Sequence, residues 1–201
     1  MDLNALREAL AGAESSRARG AAVLIPLVAG LDGWEVLLEV RAETLTVQPG
    51  EVCLPGGGIE ADETPRAAAI RETCEELLVR EEQIVLLGEL GAQPGPGGRP
   101  LHVFVGELRG YDGSFSPSEV ERTFTVPLDW LLAHEPAHFE VTMEPRYPDD
   151  FPWELVPGGR HYPWRAQKSD VPFYLGTDPV IWGATARVLA RFSHVLREHW
   201  A

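Results

Sequence analysis

The chain has 201 residues, 44% hydrophobic and 24% charged, enough for one domain with a sizeable core and too few for two separate catalytic domains. A formal net charge of −14 works against non-specific attraction to nucleic acid or to an anionic membrane, both of which rely on clustered Lys and Arg. An anionic small molecule stays compatible, provided that bound divalent cations neutralise both it and an acidic site.

The opening from Met1 to Gly20 is too polar for a signal peptide, and Leu3, Leu6 and Leu10 predict a short amphipathic helix there. The longest apolar stretch, Ala21 to Leu31, is interrupted by Pro26 and too short to span a bilayer. Ala21–Val28 and Trp34–Arg41 read as strands around a turn at Gly30–Gly33, and Glu51–Leu54 as a short strand stopped by Pro55 and three glycines. Cys53 and Cys74 read as packing residues; with no disulfide framework, the chain suits a reducing cytoplasm.

Thr64-Pro65 has the chemistry of an N-cap followed by proline at the first helical position, so a helix is predicted from there to about Leu78. Residues about 100° apart around its axis place Ala67, Ile70, Cys74 and Leu77 on a core side and Glu72, Glu75 and Glu76 opposite. An acidic face is ordinarily a solvated one. Here Glu72 and Glu76 repel at i,i+4, and the acids crowd the end where the helix dipole disfavours them. A hard divalent cation with oxygen ligands turns that liability into a site. The upstream Pro55-Gly56-Gly57-Gly58 lets the main chain approach closely, so a carbonyl is a further candidate ligand.

Beyond the helix, Ile84–Leu90 and Leu101–Leu108 read as strands, with Gly91–Pro100 a loop between them. Pro127–Leu132 suggests a helical turn, and His138–Met143 and Val171–Leu175 two strands; Tyr147–Arg165 has no period. A long helix from about Pro179 to His199 closes the chain. Strands scattered around two substantial helices favour α+β or a layered α/β/α sandwich over a doubly wound parallel sheet.

Gly57, Glu63, Arg71, Glu72, Glu75, Glu76 and Val79 fall on the defined positions of G-x5-E-x7-R-E-U-x-E-E-x-G-U, where U is aliphatic. The segment resembles the box of the Nudix hydrolases, departing from it at Thr73 and Leu78. The resemblance implies a Nudix fold, a mixed sheet between helices, with Mg²⁺ or Mn²⁺ held by Glu72, Glu75, Glu76 and the Gly57 carbonyl. It gives Glu63 and Arg71 a bracing role. The resemblance extends from about Val23 to Leu196; with the length and composition, one domain is expected over residues 1–201, in which 1–20 form the N-terminal helix and 137–201 a C-terminal extension packed on the same unit.

The preceding run, from Leu37-Leu38-Glu39-Val40-Arg41 through Gln48-Pro49-Gly50-Glu51-Val52-Cys53-Leu54-Pro55-Gly56-Gly57, resembles the extra motif of coenzyme A diphosphatases. Ala42 and Gln48 depart from it. Phe124–Leu128 and Ile181–Ala186 also resemble segments of that subfamily. Arg41, with Gly56 and Gly57, is a candidate phosphate contact; a surface arginine is the alternative. Arg160, Arg165 and Lys168 near Trp164 offer phosphate contact and base stacking, or Trp164 is an anchor in the core. Glu119 is a candidate ligand or general base, or a solvated glutamate.

Together these imply metal-dependent hydrolysis of a diphosphate, with coenzyme A or its acyl forms as substrate, Glu72, Glu75, Glu76 and Glu119 as catalytic candidates and Arg165 as a further substrate contact. The alternatives are an ADP-ribose, NADH or dinucleotide diphosphatase and a Nudix-like module that senses a nucleotide without turnover. The expected partner is a nucleotide, with neither nucleic acid nor membrane; a homodimer is left open. No nucleophile-elbow pattern supports serine or cysteine catalysis.

Overall fold

Strand β1 (Ala21–Ala29) is apolar along nearly its whole length because it is covered on both faces. Its Ala22 and Leu24 pack with Ala68, Ala69 and Leu77 of helix α1 (Pro65–Leu77). Its Ile25 and Leu27, pointing the other way, join Leu131 of the short helix α2 (Leu128–Ala133) and Val188, Leu189 and Phe192 of helix α3 (Gly183–Trp200). The computed structural model describes residues 20–200, so the helix expected at Leu3–Leu10 lies outside the described residues.

Between the helices lies a seven-stranded sheet. Its members are β1, β2 (Trp34–Arg41), β3 (Val52–Cys53), β4 (Gly56–Gly58), β5 (Ile84–Pro94), β6 (Pro100–Leu108) and β7 (Val120–Pro127). Pairing of β1 with β6 is parallel, while β1 with β2, β2 with β7 and β5 with β6 are antiparallel, so the sheet is mixed. The fold is the expected α+β arrangement, a mixed sheet between helices. A second sheet joins β8 (Ala137–Met143), β9 (Gln167–Tyr174) and β10 (Ile181–Trp182). No described helix is long and apolar enough to cross a membrane.

Several boundaries differ from the sequence expectation. Strand β5 runs on to Pro94 through what reads as a Gly-rich loop, because Gly88 and Gly91 sit at register shifts against β6, where an extra residue is absorbed. Gly91 has φ 77°, open to glycine at little cost. Strand β7 is unannounced by its pattern, since its half-exposed residues earn their place by pairing with β2 from Glu35 to Arg41. Ile181 and Trp182 form a strand, and α3 begins only at Gly183, whose φ of 64° turns the chain into it. Residues 147–165 fold on themselves: Tyr147, Phe151, Trp153 and Trp164 make ring contacts, with Arg160 over Trp153.

Helix α1 begins as its sequence dictates, the Thr64 hydroxyl accepting from Ala67 N at 3.2 Å ahead of Pro65. Its buried face, however, is Ala68, Ala69, Thr73, Glu76 and Leu77, not the one centred on Ala67, Ile70 and Cys74; Ala67 is exposed. Thr73 is tolerated in place of an aliphatic residue there because its hydroxyl donates to Ala69 O at 2.7 Å and is itself satisfied. Leu78 ends the helix in the left-handed region at φ 51°, ψ 38°, the conformation glycine would adopt more cheaply.

Candidate active site

The site arises where β1 and β2 diverge. They pair only near their turn, at Leu27 with Val36 and Ala29 with Trp34. Beyond that, the chain from Glu51 to Gly58 fills the gap. Cys53 and Val52 pair with Glu39 and Val40 of β2, while Gly56, Gly57 and Gly58 pair with Val23, Ala22 and Ala21 of β1. Glycine is required at Gly56, where a Cβ would lie 2.3 Å from Ala22 O.

Helix α1 lies against this strand, and its acids meet the glycines. Gly56 N donates to Glu76 Oε2 at 2.7 Å. The Glu72 carboxyl occupies the space of a Gly57 side chain, 2.4 Å from where its Cβ would be. Arg71 braces the ensemble: it donates to both oxygens of Glu63 at 2.9 and 3.0 Å, to Glu72 Oε1 at 2.9 Å, to Glu75 Oε2 at 3.2 Å and to Gly58 O at 3.1 Å. The structure therefore brings Glu63, Arg71, Glu72, Glu75, Glu76, Gly56 and Gly57 together. Glu119 precedes β7, its carbonyl accepting from Ala42 N at 2.9 Å, and its charge raises the proton affinity of Glu76, Glu72 and Glu39.

Glu39 is the acid that sequence reasoning missed. It sits in an apolar strand, where alternation with Leu38 and Val40 makes it look like an outward-facing polar residue; the fold buries it near Glu76 instead. Glu39 is 1% exposed, its Oε1 has no hydrogen-bond partner, and the Cys53 thiol lies 3.8 Å from its Oε2. Cys53 thus has a polar partner beyond its packing role.

Burial sets the electrostatics. It pushes the Glu76 carboxyl up to about 8, with the charges of Glu72 and Glu119 adding to it and the Gly56 N–H opposing. Burial, then the Glu76 charge, hold Glu39 well above the usual carboxylate range. Burial raises Glu72 as well, against Arg71. Glu63 moves the other way because Arg71 donates to it. The Cys53 thiol is pushed up by burial and by Glu39.

Beside the glycines opens a cavity of about 370 Å³. Arg41, Gln48, Cys53, Gly56 and Gly57 line one side; Trp182, Gly183, Thr185 and Arg187 line the other. The α3 side is tied down by Thr185, whose hydroxyl donates to Val52 O at 3.0 Å. Arg41 lines the cavity, its Nε donating to Val47 O at 3.3 Å. Arg165 does not line this cavity: it is exposed, beyond the aromatic cluster of residues 147–165, and Arg187 of α3 supplies a guanidinium instead. Lys168 pairs with Glu140 across β8 and β9 at 2.7 Å, and Trp164 is 44% exposed in the surface cluster, so neither is a core anchor or a cavity wall. The signal for Trp182 and Arg187 was the Ile181–Ala186 run, masked by its apparent continuity with the following helix.

Among the described residues no three acidic, thiol or imidazole groups already form a cation-binding cluster, since Arg71 draws Glu72 and Glu75 to itself. The donor set nevertheless fits a hard divalent cation: carboxylate oxygens crowded on one side of the helix, and the buried Oε1 of Glu39 without a partner.

The sequence matches the NUDIX domain over residues 18–149. It is similar to "Uncharacterized Nudix hydrolase NudL" of Photorhabdus laumondii, 29% identical over 177 residues, 87% of this chain and 83% of that protein. The mouse "Peroxisomal coenzyme A diphosphatase NUDT7" is 32% identical over 114 residues, 55% of this chain, and the Caenorhabditis elegans "Peroxisomal coenzyme A diphosphatase ndx-8" 39% identical over 108, or 51%. The chain spans about half the length of these last two, 48% and 46%. A Nudix hydrolase from M. smegmatis has a similar structure, at 26% identity and TM-score 0.48 over 56% of this chain and 72% of that one. With its box residues gathered around α1 and β4 and the NUDIX domain match covering residues 18–149, the chain belongs to the Nudix family.

Proposed function

We propose that the protein is a divalent-cation-dependent diphosphatase whose substrate is coenzyme A or an acyl derivative, split into 3′-phosphoadenosine 5′-phosphate and the (acyl-)4′-phosphopantetheine. The observation that carries the reading is the meeting of the α1 acids with the Gly56–Gly57 strand beside a cavity lined by Arg41. The run from Leu37 to Gly57 and the likeness to two proteins named coenzyme A diphosphatases support the choice of substrate.

In this reading Glu72, Glu75, Glu76 and the Gly57 carbonyl hold Mg²⁺ or Mn²⁺, which when bound supplies charge neutralisation at the phosphate oxygens. Arg41, on the same wall of the cavity as Gly56 and Gly57, orients the anionic diphosphate. Glu76, whose Oε2 is held by Gly56 N–H, or Glu119 accepts the proton of the attacking water. Arg71 keeps the acids aligned through Glu63, so positioning contributes much of the rate. The cavity continues from the glycines to Trp182 and Val188, leaving room for a substrate arm beyond the phosphates.

Purified protein is to be offered coenzyme A, ADP-ribose, NADH and diadenosine polyphosphates with Mg²⁺ or Mn²⁺. Preferred cleavage of coenzyme A is expected; preference for ADP-ribose would replace the substrate assignment, and no turnover of any of them would remove the enzymatic one. Glu76→Gln keeps an acceptor for Gly56 N–H, so it is expected to fold while losing activity by about 10²-fold or more.

A further inference from the structure

Strand β2 runs beside β1, which together with β4 forms most of the surface under α1. Its Leu37 packs with Ala68, Ala69 and Leu77, so alternation brings Glu39 and Arg41 to the same face, next to Glu76. Glu39 feels the charges of Glu76 and Glu119 against it and that of Arg41 in its favour. Beside it on the sheet are Cys53 of β3 and Thr123 of β7. The thiol approaches Oε2, and Oε1 is left with nothing.

A side chain of this kind is costly in every local respect. A buried carboxylate loses hydration, and one without a partner for an oxygen loses a hydrogen bond as well. The pairing positions would accept Thr or Val with none of these penalties. A divalent cation reverses the balance: it supplies the missing partner for Oε1 and offsets the repulsion between Glu39 and Glu76.

Resting on the reading of α1 as a cation site, we propose that Glu39 is a further ligand of the divalent cation, lending its unpartnered Oε1 to the ion that Glu76 holds. The Cys53 thiol, next to Glu39 in the sheet, steadies Oε2 and turns the other oxygen inward. The site thereby draws acids from two elements, α1 and β2, rather than from the helix alone.

The test is Mn²⁺ binding to the metal-free protein, followed by titration calorimetry and by the electron paramagnetic resonance signal of free Mn²⁺. Glu39→Gln keeps the shape and removes the charge. It is expected to weaken Mn²⁺ binding by about tenfold to a hundredfold and to shrink the rise in Tm that Mn²⁺ produces, while the Tm of the metal-free variant is unchanged or higher. Glu140→Gln, on the exposed β8, is expected to bind as the wild type does. Glu39→Asp, with the charge kept on a shorter arm, is expected to fall between. Wild-type affinity in Glu39→Gln overturns the proposal, as does a drop in metal-free Tm with unchanged Mn²⁺ affinity. Absence of Mn²⁺ binding by the wild type overturns the cation site itself, an outcome distinct from the failure of Glu39 alone.

Discussion

Gly56 N donates to Glu76 Oε2 at 2.7 Å, fastening the acidic end of α1 to the glycine strand. The bond joins two segments twenty residues apart in the chain, and the adjoining cavity and carboxylates are placed by it. Neighbouring glycines in that strand consequently have different sensitivities.

Gly56→Ala is expected to cost more than about 4 kcal/mol and to prevent recovery of folded protein, because the Cβ meets Ala22 O at 2.3 Å and Val23 Cα at 2.6 Å at a φ of 149°. At Gly57 the obstructing atoms are the far end of the Glu72 side chain. Gly57→Ala is therefore expected to fold with little change in Tm while losing about 10²-fold in turnover as Glu72 is pushed aside. Circular dichroism melting and steady-state rates separate the two; equal stability losses would show that the strand, not the carboxylate, is at stake in both.

Arg71 makes a two-pronged contact with Glu63 that lysine cannot reproduce. Arg71→Lys is expected to lower stability by about 1–3 kcal/mol in urea denaturation. The double variant with Glu63→Gln should lose less than the sum of the single losses, because both remove the same contact. Additive losses would show that the pair is not coupled.

Leu78 holds a left-handed conformation with its side chain 58% exposed, so little packing opposes a change there. Leu78→Gly is expected to stabilise the protein by about 1 kcal/mol, seen as a rise in Tm of about 2–4 °C. A fall in Tm would mean that the leucine contributes packing its exposure conceals.

The metal-free protein is expected to lose stability as pH rises. Glu76 goes from 4.5 to about 8 on folding, and Glu39 is raised as well, so the folded state binds more protons than the unfolded one. Their contribution is full below about pH 4.5 and is lost as pH passes through about 8. Glu63, held low by Arg71, has the opposite sign, its contribution being lost as pH falls below the ordinary carboxylate range. Urea midpoints at pH 6, 7, 8 and 9 in the presence of EDTA should therefore decline, and Glu76→Gln should flatten the decline. A midpoint that rises across this window in the wild type would contradict the raised proton affinity of these buried acids.

Much was legible locally. Thr64-Pro65 announces the start of α1, the spacing of Glu63, Arg71, Glu72, Glu75 and Glu76 announces its acids, and Trp34–Arg41 appears as a strand with the bounds it has. These features depend on residues within a few turns of one another, where capping, side-chain period and charge spacing act without help from the rest of the chain. The face that α1 buries was less legible, because whether Thr73 turns inward depends on its hydroxyl finding Ala69 O.

What only tertiary structure decided are the relationships between distant segments. The divergence of β1 and β2, the presence of β7 on the far edge of β2, and the Trp182 and Arg187 wall of the cavity each depend on pairings across many residues. Arg165 has the right chemistry for phosphate, yet the aromatic cluster before it leads the chain elsewhere. Glu39 is the clearest case. By alternation it is a polar residue on a half-buried strand, and in the folded chain it is a buried carboxyl with one oxygen unpartnered and the charge of Glu76 nearby. The sequence by itself determined the acids and their spacing, since the helical period is a local property; it did not determine which elements would enclose them, since that depends on which surfaces the completed sheet leaves to be covered.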